Sequence, residues 1–423
     1  MNRIPLLLII LYCLLPVGEK TSVAADWPWW KGLTHDSKST DRNLLPTWPA
    51  DGPPLVKQTK ELGQGYSNLC IFGDKIYTLG DFDNQSFLLI LDRNTLNVLA
   101  KTQIGQGGSV GGFAGPKSTP TTDGVHVWAV NQKGILLCAD AKMGRMIWKQ
   151  NYYDDYGGTM SVLKNDMHWG YAESPLLDGD RLICVPGGKN GSVIALEKTT
   201  GKLIWRSKEL TDMACHASVT PVTIAGVRQY LVLTHNQVSG INIEDGQLLW
   251  SGDCSGTPLA ICTDPVCVDD YVFVTRAKLG GWGYKIVRQG DKFNAELAYR
   301  LKEIDNTHHG LICVENRVYS TSSKGAFCCF DLKTGEILWR TRAIRNMSSL
   351  GYADGNLILL NERTGELTLV VANAKEYKEA GRFRPSERSD QRAWTWPIVV
   401  DGLMYVRDQQ LLLVYDLQKV SKM

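Results

Sequence analysis

Little in this sequence leans to one side. Lys and Arg together number 46 against 44 Asp and Glu, with no long run of like charge, so bulk charge singles out neither nucleic acid nor an anionic membrane as partner. Motifs of chemistry are also missing. There is no His-Glu-x-x-His and no phosphate-binding glycine loop, which removes the commonest zinc-protease and nucleotide-binding signatures. The eleven cysteines show no CxxC spacing and, Cys13 apart, mostly stand singly in β-patterned runs; that pattern reads as buried, inert thiols. Beyond residue 25 no Gly/Ser/Pro stretch is long enough to divide the chain.

The first 25 residues differ from the rest. Arg3 precedes an apolar stretch from Ile4 to Val17, and a polar spacer leads to Val23, Ala24 and Ala25 before Asp26. This predicts a cleavable secretory signal peptide over 1–25 and a periplasmic or secreted mature protein, 26–423. The apolar stretch falls short of the roughly 20 residues a membrane-spanning helix needs. Tyr12 precedes Cys13 where a lipoprotein signal has a small residue, so lipidation is not expected.

What the sequence does have is a repeat. Asp331, Gly335 and Trp339 place a glycine four residues and a tryptophan eight residues after an acid. Asp140, Gly144 and Trp148 keep that spacing, as do Glu197, Gly201 and Trp205, and Asn242, Gly246 and Trp250; a degenerate copy runs from Asp92 to Ala100. Each copy reads as a hairpin in which the acid caps the turn amides, glycine takes positive φ and the next strand carries tryptophan into a shared layer. The tryptophans recur at about 45 to 57 residues, with one missing between Trp250 and Trp339, and that period in β pattern means propeller blades. The repeat tryptophans Trp148, Trp205, Trp250 and Trp339 are therefore structural.

A second set of strands precedes each hairpin and starts eight times, at Asn68, Ser118, Ser174, Thr220, Asp264, Gly310, Ser349 and Trp396. The expectation is an all-β, eight-bladed propeller of four-stranded blades. Its last blade has only three strands, ending near Asp416, while LVKQTKEL from Leu55 is an orphan. An N-terminal strand completing the last blade leaves no open sheet edge. Residues 26–54 are then a lead-in to a single propeller domain.

The hairpin at Asp331–Trp339 resembles the tryptophan-docking repeat of PQQ-like propellers. That family includes quinoprotein dehydrogenases, which hold pyrroloquinoline quinone and Ca2+ at the propeller centre, and BamB-like scaffold proteins of outer-membrane assembly, which hold neither. The segments DWPWWKG from Asp26, WGYAESP from Trp169, PGG from Pro186 and HHG from His308 resemble exported bacterial propellers of the BamB-like kind. The resemblance implies a non-catalytic binding or assembly scaffold at the cell envelope, with a protein or other envelope component as partner and no cofactor. The alternative is a PQQ-dependent dehydrogenase oxidising alcohols or sugars. In the dehydrogenases a vicinal disulfide packs on the quinone; here Cys329 follows Gly325 as Cys138 follows Gly134, which puts the Cys328–Cys329 pair in mid-blade.

Propellers bind at one mouth of the central channel, lined by the start of each innermost strand. Counting back from the eight starts gives Tyr66, Lys117, Ser118, Tyr171, Glu173, His216, Asp264, His308, His309, Trp394 and Trp396 as the candidate ligand-binding set. Glu173 and Asp264 are the acids best placed for a cation. His308 and His309, adjacent on a strand, point to opposite sides, so at most one faces the channel. No catalytic residue is assigned. The glycine-rich stretch Gly107, Gly108, Gly111 and Gly112 reads as a flexible loop between blades.

Overall fold

In a computed structural model the described residues are 25–162, 168–256, 261–306, 308 and 310–419; the signal-peptide reading for 1–24 and the position of His309 lie outside them. The described residues form eight four-stranded antiparallel sheets and one two-stranded ribbon. The blades span residues 70–106, 121–151, 176–206, 220–253, 266–301, 312–341, 348–383 and 398–416. The only described helix, Tyr152–Tyr156, is a single turn capped by Asn151 and ended by Gly157 at φ 61°.

The repeat hairpins form as their sequence dictates. Asp331 Oδ1 accepts the amides of Lys333 and Thr334, both at 2.9 Å, and Gly335 sits at φ 75°. Asp140 caps Lys142 and Met143 in the same way. The degenerate copy has Leu96 at φ 62° where glycine is usual. Asn361 and Gly365 repeat the local capping, Asn361 accepting the amides of Arg363 and Thr364, but their turn joins the second and third strands of its blade, where the tryptophan hairpins join the third and fourth.

Each tryptophan serves the seam between neighbouring blades. A Cβ on Gly201 would meet the Trp148 ring at 3.0 Å, and one on Gly246 the Trp205 ring at 2.5 Å, so the turn glycine of one blade is the seat for the tryptophan of the blade before it. Trp339 Nε1 donates across the next seam to the Asn373 carbonyl at 2.9 Å. Trp250 differs: its Nε1 turns back to Gln229 Oε1 of its own blade at 2.6 Å, while its ring belongs to a cluster with Trp282 and Tyr284 of the next blade. The missing tryptophan is replaced by Tyr299, whose ring lies 2.5 Å from a Cβ on Gly335. Hydrophobic clusters accordingly lie between blades, as where Cys70, Tyr77 and Leu88 of the first blade meet Val127 and Leu137 of the second.

The ring closes as the unpaired C-terminal blade requires. Leu55–Thr59 pairs antiparallel with Leu411–Asp416, Lys57 opposite Val414 and Thr59 opposite Leu412. Fully buried Arg407 of the last blade pins the junction by donating Nη1 to the Ser67 and Leu79 carbonyls of the first, at 2.8 and 2.7 Å.

The lead-in is more than a connection. It visits the ring in blade order: Trp27 bridges Ile71, the Pro28 carbonyl accepts from the Thr122 amide, Lys38 Nζ reaches the Cys313 carbonyl, Ser39 bonds Tyr352 and Leu45 bonds Leu417. Several anchors are turns joining first and second strands of a blade, including Gly73, Asp354 and Gly402. The segment therefore covers the end of the channel away from the mouth read from the sequence.

Candidate functional site

At that other mouth lies a cavity of about 350 Å3. Six of the eleven residues picked from the sequence are on its wall: Tyr66, Lys117, His216, His308, Trp394 and Trp396. Ser118 is buried behind it. Tyr171 packs edge-on to Tyr152 and donates its hydroxyl to the Pro186 carbonyl at 2.8 Å. Glu173 is fully buried and accepts from the Tyr152 hydroxyl at 2.7 Å; burial raises its carboxyl to a pKa of about 7. His309 lies outside the described residues.

Asp264 sits beneath the cavity and is already engaged. It accepts from Trp30 Nε1 at 2.8 Å and the Ser218 amide at 2.7 Å, with Lys31 Nζ at 3.8 Å. Trp30 thereby becomes the floor, projected up from the lead-in with its ring 4.9 Å from that of Trp396. Trp396 in turn lies against Gly310, where a Cβ would meet its ring at 2.0 Å; that close approach, at φ 77°, accounts for the glycine of the HHG triplet.

The wall also holds residues missed by counting strand starts: Phe113, Trp169, Ala172, Ser218, Cys262 and Arg392. Phe113 comes from the glycine-rich stretch, which is a built ribbon, Ser109–Val110 against Phe113–Ala114, rather than a plain linker. Gly108 donates to Asp81 Oδ2 at 2.6 Å, and Gly111 lies so near Trp169 that a Cβ would stand 2.4 Å from its ring. Tyr66, Phe113 and Trp394 form one aromatic cluster, with centroids 4.5 to 6.4 Å apart. Glu362, 2% exposed, holds the wall from behind: Arg392 Nη1 is 2.6 Å from Oε1, while Oε2 accepts from Trp394 Nε1 at 3.0 Å and lies 3.5 Å from His308 Nε2.

The electrostatics follow from burial. No carboxylate is on the wall, whereas Lys117 and Arg392 are. Burial lowers the Lys117 ammonium to a pKa of about 8; among the described residues its Nζ bonds the Phe113 and Gly115 carbonyls, at 3.5 and 3.4 Å. Burial, helped by Lys117, lowers His216 to about 3, and neither of its ring nitrogens has a partner among the described residues. Cys262 is pushed up to about 12 by burial. The site is thus an aromatic box with a lysine, an arginine paired to Glu362 behind the wall, two histidines whose pKa burial lowers and a thiol kept protonated, suited to holding a flat or apolar group that carries negative charge.

Among the described residues no group of three or more His, Cys, Asp or Glu is arranged to hold a metal. Cys328 and Cys329 are in the mid-blade strand Phe327–Asp331 and are free.

A family model described as outer membrane protein assembly factor BamB matches residues 155–376. Curated relatives carry the same description. One from Shewanella oneidensis is 29% identical over 131 residues, covering 31% of this chain and 29% of the relative's length. One from Yersinia pestis is 24% identical over 307 residues, covering 69% and 71%. Among solved structures, BamB from Moraxella catarrhalis superposes with a TM-score of 0.57 at 13% identity, over 88% of this chain and 99% of that one. The computationally designed Ika8 protein gives 0.55 at 12% identity, over 85% and 100%. With its repeat, its closed ring and a match spanning half its length, the chain belongs to the family of PQQ-like repeat propellers described as outer membrane protein assembly factor BamB.

Proposed function

We propose that this protein is an exported, non-catalytic propeller that acts as a binding scaffold at the cell envelope, with the central cavity as the surface its partner enters. The observation that carries this reading is the wall itself. Six aromatic rings, Trp30, Tyr66, Phe113, Trp169, Trp394 and Trp396, converge with Lys117 and Arg392 and without an acid. Groups fixed on a rigid ring bind with little ordering cost. The relatives' description as assembly factors supports a role in holding a partner.

The dehydrogenase alternative asks for more than these side chains offer. Its cation needs several oxygen donors in one place, but Asp264 is committed to Trp30 and Ser218, and Glu173, which engages Tyr152 through Oε1, is buried off the wall of the cavity. The residues do not fit a quinone held through Ca2+.

The test is capture of envelope partners by the purified mature protein and by a Lys117→Met, Trp394→Ala variant shown to fold by circular dichroism. Loss of capture in the variant is expected. Alcohol- or sugar-dependent reduction of an artificial electron acceptor, seen only after adding PQQ and Ca2+, would replace this reading with the dehydrogenase.

A further inference from the structure

A second cleft, of about 380 Å3, lies between the sixth and seventh blades. Its walls are the link between strands Ile337–Thr341 and Ser348–Ala353, the turn at 361–366, and the last strand of the seventh blade with the residue after it. Four arginines face it, Arg342, Arg345, Arg382 and Arg384, against one carboxylate, Glu366. In a chain that is nearly neutral overall this is a local concentration of positive charge.

The four arginines play two different parts. Arg382 Nη1 bonds Glu366 Oε1 at 2.9 Å, and Arg384 Nε lies 3.3 Å from Oε2. Arg382 is held on its other side by Glu379, at 2.7 and 3.0 Å. These two are tied down, and both oxygens of Glu366 are spent on them. Arg342 and Arg345, both exposed, make no ion pair or side-chain hydrogen bond among the described residues. They stand opposite a fixed cationic wall with their own forks free.

We propose that this cleft binds a phosphate-bearing ligand, gripped by Arg342 and Arg345. Four guanidinium groups against two carboxylates, Glu366 and Glu379, leave an excess of two positive charges at the cleft. A carboxylate ligand would remove a single charge, whereas a phosphomonoester carries close to two and presents three acceptor oxygens that arginine forks match. The volume is that of a small-molecule site rather than of a bare ion, so the group is a phosphate with a sugar- or headgroup-sized body. The turn that supplies Asn361 and Thr364 to the cleft also carries Glu362, which braces the aromatic wall of the central cavity from behind. The site is independent of whatever enters that cavity.

A free phosphorylated sugar and a phospholipid headgroup share this chemistry, and two probes separate them. Titration calorimetry with glucose 6-phosphate, and with glucose as control, reads the soluble source; flotation with phosphatidylcholine vesicles, with and without phosphatidic acid, reads the membrane source. Binding of either phosphate probe is expected, with glucose and plain phosphatidylcholine inert. Losing two free forks should weaken binding by at least about tenfold in Arg342→Ala, Arg345→Ala, and binding should fall steeply with salt. The variant should melt with the wild type, since neither side chain has an ion pair or side-chain hydrogen bond to lose among the described residues. Failure of both phosphate probes, phosphate binding unchanged in the variant, or a polyglutamate peptide binding where both phosphate probes fail would each overturn the proposal.

Discussion

The rim of this propeller and its hub are built on opposite plans. At the rim a residue's partner is one blade away, at the turn glycine of the next blade: Trp148 lies on Gly201, Trp205 on Gly246 and Tyr299 on Gly335. At the hub, partners come from across the chain. Trp30 bonds Asp264, 234 residues on, and Arg407 bonds the carbonyls of Ser67 and Leu79. A rim of this kind is stable wherever the repeat is kept, while the hub depends on one unrepeated segment, the lead-in, and on ring closure.

The largest effect should come from breaking closure. Deleting residues 26–61 removes Leu55–Thr59, the outer strand of the last blade, and the Trp30 floor with it. The exposed edge of Leu411–Asp416 is apolar, and such an edge invites pairing with other chains. We expect a lower melting temperature and aggregation on light scattering; a monomeric truncation with an unchanged midpoint would show that the hub does not depend on the lead-in.

At the rim, Trp339→Ala should cost about 3–5 kcal/mol in urea unfolding, because the ring is 8% exposed and packs with Phe327, Tyr319 and Tyr377. Trp148 is only half-buried, and Trp148→Ala should cost less, roughly 1–2 kcal/mol. Equal costs would mean that seat and ring, rather than burial, set the stability of the seam.

This contrast also explains what the sequence allowed. The four tryptophans follow from spacing, because each of their hairpins carries its own cap, turn glycine and ring; the eight blades follow from the eight first-strand starts, and the closing strand from the three strands of the last blade. The same reading found Tyr66, Lys117, His216, His308, Trp394 and Trp396, since every innermost strand starts at the mouth. It missed Phe113, Trp169 and Arg392 because they sit on links whose course no period governs, and Trp30 because a lead-in has no repeat to set its register. The tryptophan-rich DWPWWKG was the available signal for Trp30. Glu173 and Tyr171 fell behind the wall because a strand start fixes a residue's level in the channel and not the side to which it points.

Glu173 offers a smaller, pH-dependent test of the hub. Its folded pKa, about 7, lies above the ordinary 4.5, so the folded state binds this proton more tightly than the unfolded chain. Stability associated with it is complete below pH 4.5 and is lost as pH rises through 7, on the order of 3 kcal/mol in all. Glu173→Gln keeps a neutral group of the same shape. It should match wild type at pH 4.5 and be more stable at pH 8; an equal difference at both would show that the carboxyl titrates normally. Taking the difference from wild type cancels other titrating groups, including His216.

The finest distinction is in coupling. Asp140 caps a turn in the second blade and Trp339 docks the sixth, with no shared partner. Substitutions at distant sites add to within about 0.5 kcal/mol, so Asp140→Ala combined with Trp339→Ala should cost the sum of the two. Trp30 and Asp264 share a hydrogen bond under the aromatic wall. A cycle of Trp30→Phe and Asp264→Asn should therefore show an interaction energy of about 0.5–3 kcal/mol: either change alone leaves a buried group without its partner, and the second change adds little. If the rim pair couples as strongly as the hub pair, blades do not act as independent units, and the strain of one seam is shared around the whole ring. If the hub pair is additive, Trp30 fills space beneath the cavity without being held there by Asp264, and the floor owes its position to the packing of the lead-in alone.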